Sequence, residues 1–319
     1  MKTPGKTERA RGQPAIAFLA TAGILIIAFA AGCVQQDAGN PGVNGSHETP
    51  LTVVVSILPQ KQFVEQVAGN RARVVVLVPP GASPHSYEPT PGQMSEIAKA
   101  SVYIKVGSGI EFERAWMDKI AGINPGMAVF DSSKGIVFLN ATVDDDEDTP
   151  DETPAGRGAG VDPHIWLSPK NAKIMVENTY QGLAAADPGN ASIYRANADV
   201  YIQKLDALDQ TITREIETSN VRTFMVYHPA WTYFAQDYGL VQIPIEKNGK
   251  EPTPVGIANL INQAKADNIT VIFASPEYST RSAEVIANQI GGRVALVDPL
   301  AEDYLENIEN ATRAFSGTG

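Results

Sequence analysis

One long helical stretch stands between two blocks in which strand and helix signals alternate, and few architectures accept that order. After the break at Asp187-Pro188-Gly189-Asn190, the chain continues to about Thr218. Over that stretch Ile193, Val200, Leu205, Leu208, Ile212 and Ile216 recur near helical spacing. At 1.5 Å per residue such a helix spans roughly 40 Å, about a domain's diameter. Ahead of it, strands are predicted at 52–57, 73–78 and 101–106, with helices between. Behind it, strands are predicted at 223–227, 241–245, 270–274 and 293–297, with helices at 230–238, 254–266, 280–290 and 302–315. Strands alternating with helices imply parallel sheets covered on both faces. The expected fold is α/β, with two lobes, each a mainly parallel sheet flanked by helices, joined by one long rigid helix. The expected division is an N-terminal lobe at 51–188, the linking helix at 189–219 and a C-terminal lobe at 220–319.

Proline punctuates the helix starts. Thr90-Pro91, Ser168-Pro169 and Thr253-Pro254 each offer a capping hydroxyl and then a proline at the first helical position. Residues 140–161 interrupt the rhythm. Asp144, Asp145, Asp146, Glu147, Asp148, Asp151 and Glu152 crowd together there with almost no core-forming side chains, so this segment reads as a surface loop.

The N-terminus reads as an export signal over residues 1–32. Lys2, Lys6, Arg9 and Arg11 precede an apolar run from Ala15 to Ala31. The run ends at Ala30-Ala31-Gly32-Cys33, which resembles a lipobox with Cys33 as the lipidated residue. About 17 apolar residues sit at the lower limit for a spanning helix, the alternative reading. Either way the rest is placed outside the cell and anchored at the outer face of the cytoplasmic membrane. Residues 33–50, rich in Gly, Asn, Gln and Asp, read as a flexible tether, and His47 within it as a solvated bystander. The single cysteine excludes an intrachain disulfide. Formal charge is −11, and beyond residue 32 there remain 21 basic against 35 acidic side chains. Such a surface repels nucleic acid and mildly concentrates cations.

The chain has four histidines. Three stand beside prolines in unrelated segments: Pro84-His85, Pro163-His164 and His228-Pro229. Neutral imidazole is a preferred ligand for zinc and similar metals. His85 falls in a loop after a strand, His228 at the end of another, and Asp298 in Asp298-Pro299 after the last strand. In open parallel sheets, ligands bind beyond the carboxyl ends of strands. His164 precedes a helix cap. Prolines stiffen these loops and lower the ordering cost of gathering ligands. A cage drawn from both lobes sits in the cleft between them. Trp166 and Trp231, near two of the histidines, read as core or cleft-wall aromatics. Zincin spacing is absent, and Val106-Gly107-Ser108-Gly109 lacks the features of a phosphate loop.

With these segments in order, the chain resembles the zinc/manganese solute-binding lipoproteins of ABC importers. The resemblance covers 51–315. It is carried by Pro-Gly-Ala-Ser-Pro-His-Ser-Tyr-Glu-Pro at 80–89, Asp-Pro-His-Ile-Trp-Leu-Ser-Pro at 162–169, Tyr-His-Pro-Ala-Trp-Thr-Tyr-Phe at 227–234 and Leu-Val-Asp-Pro-Leu at 296–300. It implies a non-enzymatic, monomeric receptor that binds a zinc ion and delivers it to an ABC transporter permease. It also implies His85, His164, His228 and Asp298 as the metal ligands. Manganese-preferring members tend to carry glutamate at the third position, so His228 implies zinc. Three imidazoles and one carboxylate suit zinc, whereas manganese favours more oxygen. There are two departures. The acidic loop holds no histidine where zinc-type relatives often have several, and Pro84 stands where some carry a glutamate. Glu277, after the penultimate strand, can approach the cleft. The alternatives are a manganese or iron-chelate receptor of the same architecture, and a secreted zinc hydrolase.

Overall fold

The computed structural model describes residues 50–141, 160–247 and 249–317. The export segment, Cys33, the tether up to residue 49, His47 and the acidic run at 144–152 lie outside the described residues.

The first lobe runs β1 (Leu51–Val55), α1 (Leu58–Ala68), β2 (Ala72–Val76), α2 (Pro91–Ile97), β3 (Val102–Lys105), α3 (Glu111–Ile123) and β4 (Ala128–Asp131). All pairings are parallel, in the order β2-β1-β3-β4. Then come α4 (Pro169–Ala186) and α5 (Ala191–Thr218). The second lobe runs β5 (Thr223–Val226), α6 (Thr232–Tyr238), β6 (Val241–Pro244), α7 (Pro254–Ala266), β7 (Val271–Ala274), α8 (Arg281–Ile290), β8 (Arg293–Leu296) and α9 (Tyr304–Ser316). Its order is β6-β5-β7-β8, again parallel. Each sheet starts in its middle and reverses direction between its first and third strands. Crevices open at such switch points, beyond the carboxyl ends of the strands.

Local chemistry explains these elements. Val53, Val54 and Val55 are fully buried in succession, as in a strand covered on both faces. The anticipated caps form: Thr90, Ser168 and Thr253 accept from the backbone N–H three residues on, at 3.3, 3.0 and 3.1 Å. Helix α5 is 28 residues long. It buries Tyr194, Ala198, Tyr201, Leu205, Leu208, Ile212 and Ile216, spaced three or four apart. Each buried leucine or isoleucine contributes roughly 1.5–3 kcal/mol. Val200, expected on this face, is 54% exposed, because it precedes the buried Tyr201 and so lies about 100° around the helix.

One core continues through both lobes. It joins Val54 and Ile104 of the first sheet to Leu205 and Leu208 of α5, and to Phe224, Phe273 and Phe315 of the second lobe. A smaller core with Met225, Ile243 and Ile272 fills the remaining side of the second sheet. Polar clasps add to this seam. The Trp166 indole N–H donates to the Pro299 carbonyl at 2.7 Å, and the Tyr304 hydroxyl donates to the Trp166 carbonyl at 2.7 Å. From α1, the Gln62 amide oxygen accepts from the Tyr304 N–H at 2.9 Å and from the Tyr201 hydroxyl at 2.8 Å. Lys61 pairs with Glu302. Among the described residues no helix is long and apolar enough to cross a membrane.

Candidate metal centre

The site is assembled from loops that follow strands. The loop after β2 carries His85. There the Ser83 carbonyl accepts from the N–H groups of Ser86 and Tyr87 at 3.2 and 3.0 Å, and the Pro84 carbonyl accepts from Phe112 N–H at 3.0 Å. This last bond ties the loop to the first turn of α3. After β4 the chain departs at Ala141 and returns at Gly160, closed by a bridge between Asn140 and Val161. His164 follows directly. Its loop is pinned by Ser108 Oγ on the Pro163 carbonyl at 2.6 Å and by the Tyr233 hydroxyl on the Asp162 carbonyl at 2.9 Å. His228 stands two residues beyond β5, where the Tyr227 N–H donates to the Phe273 carbonyl at 2.7 Å.

The three imidazoles meet. Nε2 of His164 lies 3.2 Å from Nε2 of His85 and 3.2 Å from Nε2 of His228. All three offer ligand atoms within 4.8 Å of one another, and among the described residues they form the group that does so. His164 and His228 are buried and His85 is half-buried. Each opposite ring nitrogen faces a carboxylate. His85 Nδ1 is 2.6 Å from Glu111, His164 Nδ1 is 2.8 Å from Asp162, and His228 Nδ1 is 3.4 Å from Glu246. Such a partner accepts a hydrogen bond from Nδ1–H, fixes the ring and leaves Nε2 as the bare donor. Three lone pairs then point at one another, an arrangement that a cation between them relieves. Ligands about 2.0–2.1 Å from zinc in a tetrahedron stand about 3.3–3.4 Å apart. The observed separations match that edge.

The electrostatics agree. Burial lowers the His228 pKa from 6.5 to about 4, with the neighbouring His164 and His85 adding to the fall against the opposing bond from Glu246. Its ring is therefore bare at neutral pH. Burial alone would raise Asp162, but its interactions with the His164 ring and the hydrogen bonds from the His164 ring and backbone N–H hold it below the usual carboxylate range.

The fourth side is acidic. Glu277, in the loop after β7, lines the cavity with the three histidines. Burial first, and the Asp298 carboxylate next, push its pKa up to about 7. Its Oε2 is buried without a hydrogen-bond partner. Asp298 stands outside the histidine group. Its Oδ1 accepts from the Leu300 N–H at 2.7 Å, which closes the turn after β8. The expected set thus divides: three histidines converge, and Asp298 backs Glu277.

The family model described as the periplasmic component A of a zinc-uptake complex matches residues 53–317. The chain belongs to this family. It is 30% identical over 269 residues to the high-affinity zinc uptake system protein ZnuA of Bacillus subtilis (strain 168), a match covering 82% of this chain and 83% of that protein. A solved ZnuA crystal structure superposes with a TM-score of 0.78 at 38% identity, over 84% of this chain and 99% of the other. A ZnuA deletion mutant with zinc bound gives 0.76 at 38% identity, over 84% and 98%. Membership in this uptake family makes the chain a metal-binding transport receptor rather than an enzyme and leaves the hydrolase alternative without support.

Sequence reasoning passed over the carboxylates behind the three histidines. Asp162 stood in plain view two residues before His164. Glu111 and Glu246 lie 26 and 18 residues from their histidines, and no local signal links them. Of the two tryptophans near the histidines in sequence, Trp166 lines the cavity. Trp231 packs against Phe234 and Phe315 in the core.

Proposed function

We propose that this chain is an exported receptor, tethered through Cys33, that captures zinc and hands it to an ABC-type permease as a monomer. His85, His164 and His228 are the nitrogen ligands in this reading. The Glu277–Asp298 carboxyl pair supplies the fourth side, with Glu277 nearer the ion. The observation that carries it is the convergence of three imidazoles, with the His164 Nε2 3.2 Å from the Nε2 of each of the other two and each ring backed by a carboxylate. The wording of the family description and of the zinc-bound neighbour supports the choice of metal. So does the donor set, since three imidazoles favour zinc over manganese. Glu277, whose pKa is pushed up to about 7, would give up its proton as the dication enters, so capture releases a proton.

The test is titration calorimetry of the metal-free protein with zinc and with manganese, alongside His228→Ala. One zinc per chain is expected. Affinity should fall by about 100-fold or more in the variant, and manganese should bind more weakly. Zinc affinity unchanged by His228→Ala removes the residue from the cage. Preference for manganese in the unsubstituted protein overturns the choice of metal.

A further inference from the structure

Zinc is satisfied by four ligands, whereas manganese favours an octahedral, oxygen-rich shell that includes water. Room for water beside the ion therefore bears on selectivity. The cavity bounded by the three histidines and Glu277 measures about 10 Å³. That is about the least volume that admits one water. Its remaining lining is Pro84, Trp166, Tyr278, Pro299 and Leu300. The indole N–H of Trp166 is already committed to the Pro299 carbonyl. A dry, narrow wall thus surrounds the donors.

The members of this wall are not equivalent. Pro84, Trp166, Pro299 and Leu300 are buried, whereas Tyr278 is half-buried, so among these wall residues Tyr278 is the one that reaches solvent. Its ring stacks on the His228 imidazole, with centroids 4.6 Å apart and planes 23° apart. Its hydroxyl reaches Ser83 Oγ, in the turn that carries His85, at 3.4 Å. Tyr278 therefore links the loop after β7 to the turn that carries His85, at the wall of the cavity. The Nδ1 side of His228 is held by Glu246, so the tyrosine is not what sets that ring's donor nitrogen.

We propose that Tyr278 is a specificity-determining residue. Its ring closes the coordination sphere to water and so favours a four-coordinate dication over a six-coordinate one. The inference rests on the zinc-receptor reading and adds a selectivity element that donates no ligand atom. Removal of the ring should let water join the ion, help manganese and expose zinc to exchange. Loss of the hydroxyl alone should do little, because the ring provides the cover.

The test compares the unsubstituted protein, Tyr278→Phe and Tyr278→Ala, each loaded with cobalt(II) as a spectroscopic probe and titrated with zinc and manganese. Tetrahedral cobalt(II) absorbs strongly in the visible and octahedral cobalt(II) weakly. The unsubstituted protein and Tyr278→Phe should show the strong bands. Tyr278→Ala should show weakened bands and a zinc-to-manganese affinity ratio reduced by about tenfold or more. A structural defect alone would weaken both metals together and leave their ratio in place. If Tyr278→Ala fails to fold, Tyr278→Val is read by the same criteria. Strong cobalt bands and an unchanged ratio in the alanine protein overturn the inference while the zinc reading stands. A change as large in Tyr278→Phe assigns the effect to the hydroxyl and overturns exclusion by the ring. Failure of the unsubstituted protein to bind zinc or cobalt overturns the zinc reading itself.

Discussion

Acidification of the metal-free protein should cost stability through His228. The ring is 8% exposed, and burial lowers its pKa from 6.5 to about 4. Between those values the unfolded chain binds a proton at this position and the folded chain does not. Protons therefore favour the unfolded state, and stability falls as pH drops through that window. Below it the cost levels off at about 3 kcal/mol, from 1.36 kcal/mol per pKa unit. At about pH 5 the same relation gives about 2 kcal/mol relative to about pH 7.5. Urea denaturation of metal-free protein at the two pH values measures the total loss, to which other groups contribute. His228→Gln, which cannot titrate, isolates the share of interest. The unsubstituted protein should lose about 2 kcal/mol more than the variant over that interval. Equal losses in the two proteins would refute the claim that His228 is held neutral by burial.

Two further outcomes follow from the partners of the site. Asp162→Asn removes the carboxylate from His164 Nδ1 at a buried position and should weaken zinc binding by about 10- to 100-fold in calorimetry. Glu111→Gln, at an exposed partner of His85, should cost less, and a reversed ranking would count against burial as the deciding factor. Trp166→Phe leaves the Pro299 carbonyl without its indole donor and should lower stability in urea by about 1–3 kcal/mol. No loss would mean that water replaces the indole N–H.

Much of the fold was legible because its punctuation is chemical. Serine or threonine followed by proline marked three helix starts, and each hydroxyl caps as expected. Asp187-Pro188-Gly189-Asn190 marked the entry to α5. The stretch between residues 107 and 131 was harder to read. Strand β4 is only four residues long and leaves Val129 41% exposed, so it carries no β-branched run, and α3 went unread before it. Strand ends were overextended at Ser56-Ile57 and Leu77-Val78. Ile57, Leu77 and Val78 are buried beyond the ends of β1 and β2, and Leu77 and Val78 still donate to the Val55 and Ser56 carbonyls, so hydrophobicity does not mark where a strand ends. In α5 the inward face uses Tyr194, Ala198 and Tyr201, residue types that a search for aliphatic side chains passes over. The histidines were legible as scarce, proline-flanked residues. Their carboxylate partners and the cover supplied by Tyr278 exist only through space.

The chain separations at the site carry a consequence for the order of events. His85 and His164 are 79 residues apart, and His164 and His228 are 64 apart. An unfolded chain therefore offers no local imidazole chelate, since no two of these imidazoles lie on one short segment. A chain threaded through a membrane before folding passes without a grip on the ion, and acquires one only when both sheets have closed on their shared core. Because the unfolded form binds so little, almost the whole free energy of capture goes to the native form. Cargo and folding are thus thermodynamically linked: a loaded receptor should unfold, and yield to proteases, far more rarely than an empty one.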